Sequence, residues 1–124
     1  MEDLRRITEL VIGSALRIHS ALGPGLFESV YRDVLADDLT RKSLHVEVEK
    51  TFPIIFEGRS FDKAFRVDLA VENKVLVELK SITQIAPIHF TQLLTYLRML
   101  DYRVGLILNF GRLSLEIKRV ANGI

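Results

Sequence analysis

Glu78-Leu79-Lys80 sets a carboxylate and an ammonium two positions apart within KVLVELK, a segment rich in β-forming residues. On a strand, residues i and i+2 project from one face of the sheet. That pairing suits metal-assisted hydrolysis. The carboxylate offers hard oxygen to Mg²⁺ or Mn²⁺, and the lysine can orient or help deprotonate a water while offsetting charge on a phosphorane-like transition state. A single carboxylate holds such an ion poorly. Asp68, in the preceding segment FDKAFRVDLAV, is the candidate second ligand.

The register of these two segments can be worked out from their apolar pattern, because residues directly opposite in an antiparallel pair share a face. With Glu72-Asn73-Lys74 as the connecting loop, Val71 faces Val75, Leu69 faces Val77 and Val67 faces Leu79, which makes one side aliphatic. Asp68 then meets Glu78 on the other side. A two-residue loop scrambles this arrangement, whereas a three-residue hairpin with a left-handed Asn73 or Lys74 is an acceptable turn. Two carboxylates brought this close repel unless a cation lies between them. A second E-x-K, Glu116-Ile117-Lys118, reads instead as the solvated face of a terminal strand.

The elements that must position these groups follow from periodicity. Leu4, Ile7, Val11, Ala15, Ile18 and Leu22 recur every three or four residues, the spacing of one helix face over residues 3–22. Gly23-Pro24-Gly25 ends that helix. Phe27, Val30, Tyr31, Val34 and Leu35 give the stripe of a second helix reaching to about Arg41, and the two form a hairpin. From Leu44 the period drops to two, and strands follow through Phe56, with Gly58-Arg59-Ser60 as a turn. Pro87 suits the first turn of a third helix, whose apolar face is Phe90, Leu93, Leu94, Leu97 and Leu100. RVGLILNF and SLEIKRV close the chain as two strands around a turn at Asn109 to Arg112. Without internal repeats or a linker, residues 1–124 read as a single mixed α/β domain.

Gly25-Leu-Phe-Glu28-Ser-Val-Tyr31 resembles the signature of the GxxExxY family, a branch of the PD-(D/E)XK nuclease-like superfamily. LGPGLFESVY, RVDLAVENKVLVELKSI, HFTQLLTYLR and GLILNFGRLSLEIKR are similar to that family in order and spacing, over nearly the whole chain. The resemblance implies a restriction-endonuclease-like fold: a mixed sheet flanked by helices, with two leading helices and one crossover helix. It also implies a divalent metal at the sheet's edge. Its metal ligands fall on Asp68 and Glu78, with Glu28 of the second helix completing the set, and its catalytic lysine falls on Lys80. Gln92 and Tyr96 match a Q-x-x-x-Y pair of exonuclease-like members and share a helix face. Val67 stands where the superfamily's name has proline. On the residues alone, Glu28 reads equally as an acid favoured near a helix N-terminus, and Gln92 and Tyr96 as partly exposed polar residues beside the leucine stripe.

The expected activity is Mg²⁺- or Mn²⁺-dependent hydrolysis of phosphodiesters, most of all in DNA; the alternative is a non-catalytic module that binds nucleic acid or a protein partner on the same fold. The net charge is +1, from 17 basic and 16 acidic residues, so a polyanion must be held by a local patch. Arg66, Arg98, Arg103, Arg112, Lys118 and Arg119 are candidates for it. His19, His45 and His89 lack metal-ligand spacing, although His89 precedes Gln92 by one turn. The absence of cysteine excludes thiolate nucleophiles and cysteine-ligated zinc. Glu9, Arg17 and His19 interrupt the first apolar stretch well short of a membrane span, and no signal peptide is legible, so a cytoplasmic protein is expected. A chain this small could grip a duplex as a homodimer.

Overall fold

The computed structural model describes residues 2–123. Helices α1 (Glu2–Leu22) and α2 (Glu28–Arg41) precede strands β1 (Val46–Phe56), β2 (Arg59–Val71) and β3 (Val75–Lys80). Helix α3 (Pro87–Leu100) crosses over to β4 (Val104–Asn109), and β5 (Glu116–Ala121) follows. The five strands form one sheet in the order β1-β2-β3-β4-β5, with β3 and β4 parallel and the other neighbours antiparallel. A parallel pair needs a crossover connection, and α3 supplies it. Among the described residues no helix is long and apolar enough to cross a membrane.

Each face of the sheet carries its own core. On one, Ile7, Val11, Ala15 and Ile18 of α1 and Tyr31, Leu35 and Leu39 of α2 pack over Leu69, Val77, Leu79, Leu106 and Leu108. On the other, Leu93 and Leu97 of α3 pack with Phe65, Val67, Leu76 and Ile107. Gly105 makes the close approach of α3 possible, because a Cβ there would stand 2.8 Å from the Leu93 side chain.

Two expected helix faces are rotated. In α2 the buried residues are Tyr31, Leu35, Ala36 and Leu39, while Phe27, Val30 and Val34 face solvent. A stripe starting at Phe27 is impossible because Phe27 lies before the first helical residue, in extended conformation. In α3, Phe90 is likewise exposed and the contact is made by Leu93 and Leu97. The Tyr31 hydroxyl donates to the Gly23 carbonyl and accepts from the Leu26 N–H at 3.1 Å. It thus fastens the Gly-Pro-Gly loop to α2, with Gly25 at φ 108 making the turn.

β1 continues through Pro53, where its register with β2 shifts between Phe52↔Phe65 and Ile54↔Phe61, and an edge strand tolerates proline because one side of its ladder has no partner. Its hairpin with β2 turns at Glu57 and Gly58, both left-handed (φ 50 and 76), one residue earlier than expected. Such two-residue loops match the twist of the flanking strands. At the next turn the left-handed residues are Glu72 and Asn73, with Lys74 N–H donating to the Val71 carbonyl.

The β2–β3 register agrees with the apolar pattern, pairing Val71 with Val75, Ala70 with Leu76 and Leu69 with Val77. The expected aliphatic side is broken at Val67, which packs on the α3 face although Leu69 and Val71 pack on the other. β1 changes face in step, from Val46 on the α1–α2 side to Phe52 and Ile54 on the α3 side. The change falls at Glu49 and Asp68. Val48↔Leu69 and Lys50↔Val67 keep one register on either side, but Glu49 (φ 52) and Asp68 between them do not pair. The two-stranded ribbon therefore rolls over at Asp68 without slipping.

A second fixed point lies behind Lys80. The buried Asn109 side chain accepts from the Ile82 and Gly111 N–H groups and donates to Glu116 Oε1, which also accepts from the Ile85 N–H. Glu116 thus has a structural task, not the solvated role its alternating segment suggests. A Cβ on Gly111 would collide with the backbone of Ile82 and Ser81. Gly111→Ala is expected to lower stability by about 2 kcal/mol or more, since backbone cannot move aside as a side chain can. Urea denaturation of the variant checks this.

Candidate active site

The regular β2–β3 ladder stops at Leu69↔Val77, and the next residues on each strand are Asp68 and Glu78. Their side chains replace the missing backbone pairing. The Asp68 N–H donates to Glu78 Oε1 at 3.1 Å, and the Leu79 N–H donates to Asp68 Oδ2 at 2.8 Å. Each carboxylate thus has one oxygen anchored on the opposite strand. Among the described residues, the other oxygen of each accepts no hydrogen bond, and neither carboxylate forms an ion pair.

Both acids are half-buried and both resist ionisation. Burial, then the nearby Asp68 charge, pushes the Glu78 carboxyl up to about 7; Glu28 adds to the rise, while the Asp68 N–H and Lys80 oppose it. Burial also holds Asp68 above the ordinary range, against the Leu79 N–H and the positive charges of Lys80, Arg32 and Arg66. Lys80, next but one on β3, is half-buried and acts on the pair through space without contacting it.

Two carboxylates cross-anchored on neighbouring strands, each with a second oxygen that accepts no hydrogen bond and with its negative charge disfavoured, fit a divalent cation. Mg²⁺ commonly uses only one or two carboxylates and keeps several waters. Among the described residues no group of three or more acidic or histidine side chains could hold an ion together. Asp68 and Glu78 are therefore the protein ligands that fit, and Glu28 does not join them as a third. It sits exposed at the first position of α2, with its charge reaching Glu78.

A family profile described as the PD-(D/E)XK nuclease superfamily matches residues 5–120. The chain belongs to the PD-(D/E)XK nuclease superfamily. No curated protein matches it. Among solved structures, the crystal structure of SSO0001 is similar, with 18% sequence identity, 95% of this chain and 79% of that chain covered, and a TM-score of 0.48. The mixed five-stranded sheet with three flanking helices is consistent with the PD-(D/E)XK fold.

Asp68 and the Glu78-Leu79-Lys80 triplet lie within the matched residues, and Val67 precedes Asp68. Val67 is fully buried and sits where the ribbon rolls over. Tyr96, on α3, stacks on Phe65 at 4.3 Å between ring centroids. Burial and the Glu78 charge raise its hydroxyl's pKa, and hydrogen bonding with Gln92 opposes the rise. The Gln92–Tyr96 pair thus lies within reach of the Glu78 charge. His89 is occupied elsewhere: its Nδ1 accepts from the Ala86 N–H at the start of α3. His19 is buried and its ring bonds the Arg112 carbonyl at 2.8 Å.

Two residues beside the site escape the sequence reading. Glu49 of β1, opposite Asp68 in register, pairs with Arg32 of α2 at 3.0 Å and Arg66 of β2 at 3.5 Å. Both cations also act on Asp68. Of the cationic candidates only Arg66 is placed at the pair; Arg98 and Arg103 line a separate cleft with Asp101 and Asn122. Nothing local marks Arg32 or Glu49, because only the packing of α2 on β1 brings them together.

Proposed function

We propose that this chain is a divalent-metal-dependent nuclease, hydrolysing phosphodiester bonds with Mg²⁺ or Mn²⁺, in DNA above all, and that it lies in the GxxExxY branch. The observation that carries the reading is the open ladder at Asp68 and Glu78: two half-buried carboxylates, each anchored by one oxygen and offering the other, with Lys80 alongside. A pair kept ionised only against burial and mutual repulsion is costly without a ligand. Gly25, Glu28 and Tyr31 support the branch, since Gly25 and Tyr31 build the loop that sets Glu28 near the pair.

Asp68 and Glu78 would hold the ion, which when bound supplies charge stabilisation to the attacking and leaving oxygens. Lys80, as an ammonium, donates a hydrogen bond that orients the attacking water and offsets charge accumulating on the phosphoryl oxygens, while the water's proton passes to solvent. Arg66 and Arg32, steadied by Glu49, supply positive charge beside Asp68 for the phosphate backbone. Gln92 and Tyr96 orient the substrate from α3, the tyrosine held flat against Phe65.

Titration calorimetry tests the metal step. Wild-type protein at pH 8 is expected to bind Mg²⁺ and Asp68→Asn to bind it at least about tenfold more weakly, since one of two charged ligands is gone. Below pH 7 the wild-type affinity falls, because the ion must displace the proton that Glu78 then retains. Equal binding by both proteins contradicts the ligand assignment. Metal binding without cleavage of any nucleic acid favours the binding module over the enzyme.

A further inference from the structure

Beside the proposed centre lies an open cleft of about 460 Å³, whose lining includes Leu26, Phe27, Glu28, Ser81, Thr83 and Gly111. Two of its lining residues, Ser81 and Glu28, tie it to the site. Ser81 follows Lys80 in the chain, its hydroxyl donates to the Leu26 carbonyl at 2.8 Å, and Glu28 on the cleft wall acts on Glu78. Phe27 is 82% exposed and packs into neither core cluster. Its backbone leads into α2 in extended form, which any residue adopts, so neither the fold nor the turn calls for an aromatic ring here.

The chemistry of the lining selects the occupant. The one charged residue of its lining is the carboxylate Glu28, and the nearby cation Arg112 stands outside the lining, donating to the Thr83 carbonyl at 3.4 Å, so a phosphate belongs at the rim and not inside the cleft. The Ser81 and Thr83 hydroxyls can instead bond the polar edge of an uncharged group, and the phenyl ring of Phe27 offers a face to a flat one. A neutral, planar group with polar edges, attached one step from a phosphodiester, is a nucleobase.

We propose that this cleft receives the base next to the scissile phosphate, with Phe27 as its stacking platform, so that the substrate is single-stranded nucleic acid. Within a duplex each base face is already covered by its neighbours, and engaging Phe27 would require unstacking. The proposal rests on the nuclease reading of Asp68, Glu78 and Lys80.

The test uses the full chain carrying Lys80→Ala, with Mg²⁺ present, and oligonucleotides containing the fluorescent base 2-aminopurine, single-stranded or annealed. Binding of the single strand is expected to quench the fluorescence. Adding Phe27→Ala should remove the quench and weaken single-strand binding roughly tenfold, within the range of one lost stacking contact, while duplex binding changes by less than about twofold. Phe27→Trp should restore both signals, since indole also stacks. The proposal is overturned if Phe27→Ala leaves the single-strand signal intact, weakens both substrates alike, or is not rescued by tryptophan. Cleavage by protein with Lys80 intact separates the two readings. Cleavage that is insensitive to Phe27→Ala sinks the stacking platform alone, whereas a Phe27-dependent quench with no cleavage of any substrate sinks the nuclease reading.

Discussion

Lys80→Ala is expected to lower metal-dependent cleavage by ~100-fold or more, the loss of about 3 kcal/mol typical when one preorganised electrostatic stabiliser is removed. The fold should survive. Lys80 is half-buried and makes no ion pair with Asp68 or Glu78, so its side chain contributes little packing or direct bonding. Its loss removes a through-space attraction that now eases ionisation of both acids, and the metal-free protein should melt slightly lower at pH 8 for that reason. Single-turnover cleavage beside thermal melting separates the effects. A fall in melting temperature large enough to account for the lost activity would assign Lys80 to structure.

The second large effect concerns stability. The Glu78 carboxyl has an ordinary value of 4.5 and is pushed up to about 7 in the folded protein. Between those values the folded chain keeps a proton that the unfolded chain releases. The metal-free protein therefore loses stability as pH rises from about 4.5 through 7, by up to roughly 3 kcal/mol, and the loss levels off above that range. Asp68, also held high by burial, acts in the same direction. Glu78→Gln keeps an oxygen for the Asp68 N–H and removes the charge, so in chelator at pH 8 it should melt higher than wild type, by on the order of 10 °C at most. At pH 4 the two should coincide. Mg²⁺ should raise the wild-type melting temperature at pH 8 and leave Glu78→Gln nearly unmoved. A structural ion pair has the opposite signature, with stability gained on ionisation and lost in the variant.

The core of this arrangement was legible because it is written in local periodicity. The alternation of Leu69, Val71, Val75 and Val77 admits one loop length, and that loop sets Asp68 against Glu78. The helix hairpin and the crossover helix were equally plain from their spacing and their Gly-Pro-Gly and Pro87 boundaries. Strict alternation puts Val67 on the face of Leu69, and it fails because the strand rolls over at Asp68 between them. The αL turn at Glu49 that rolls the ribbon has no local mark, glutamate being an ordinary strand residue. Hydrophobicity alone puts Phe27 and Phe90 in buried stripes, but it does not distinguish a core side chain from an exposed one, and both are exposed. The Glu49–Arg32–Arg66 cluster and the Asn109–Glu116 anchor join residues far apart in sequence, and spacing rules do not extend to such pairs.

Cleavage of nucleic acid is the most direct test of the central claim. Purified wild-type protein, incubated with single-stranded DNA, duplex DNA and RNA in Mg²⁺ or Mn²⁺, is expected to cut at least one of them, to stop when the metal is chelated, and to lose the activity with Lys80→Ala. No cleavage of any substrate in either metal, or cleavage that persists undiminished in Lys80→Ala, would contradict it.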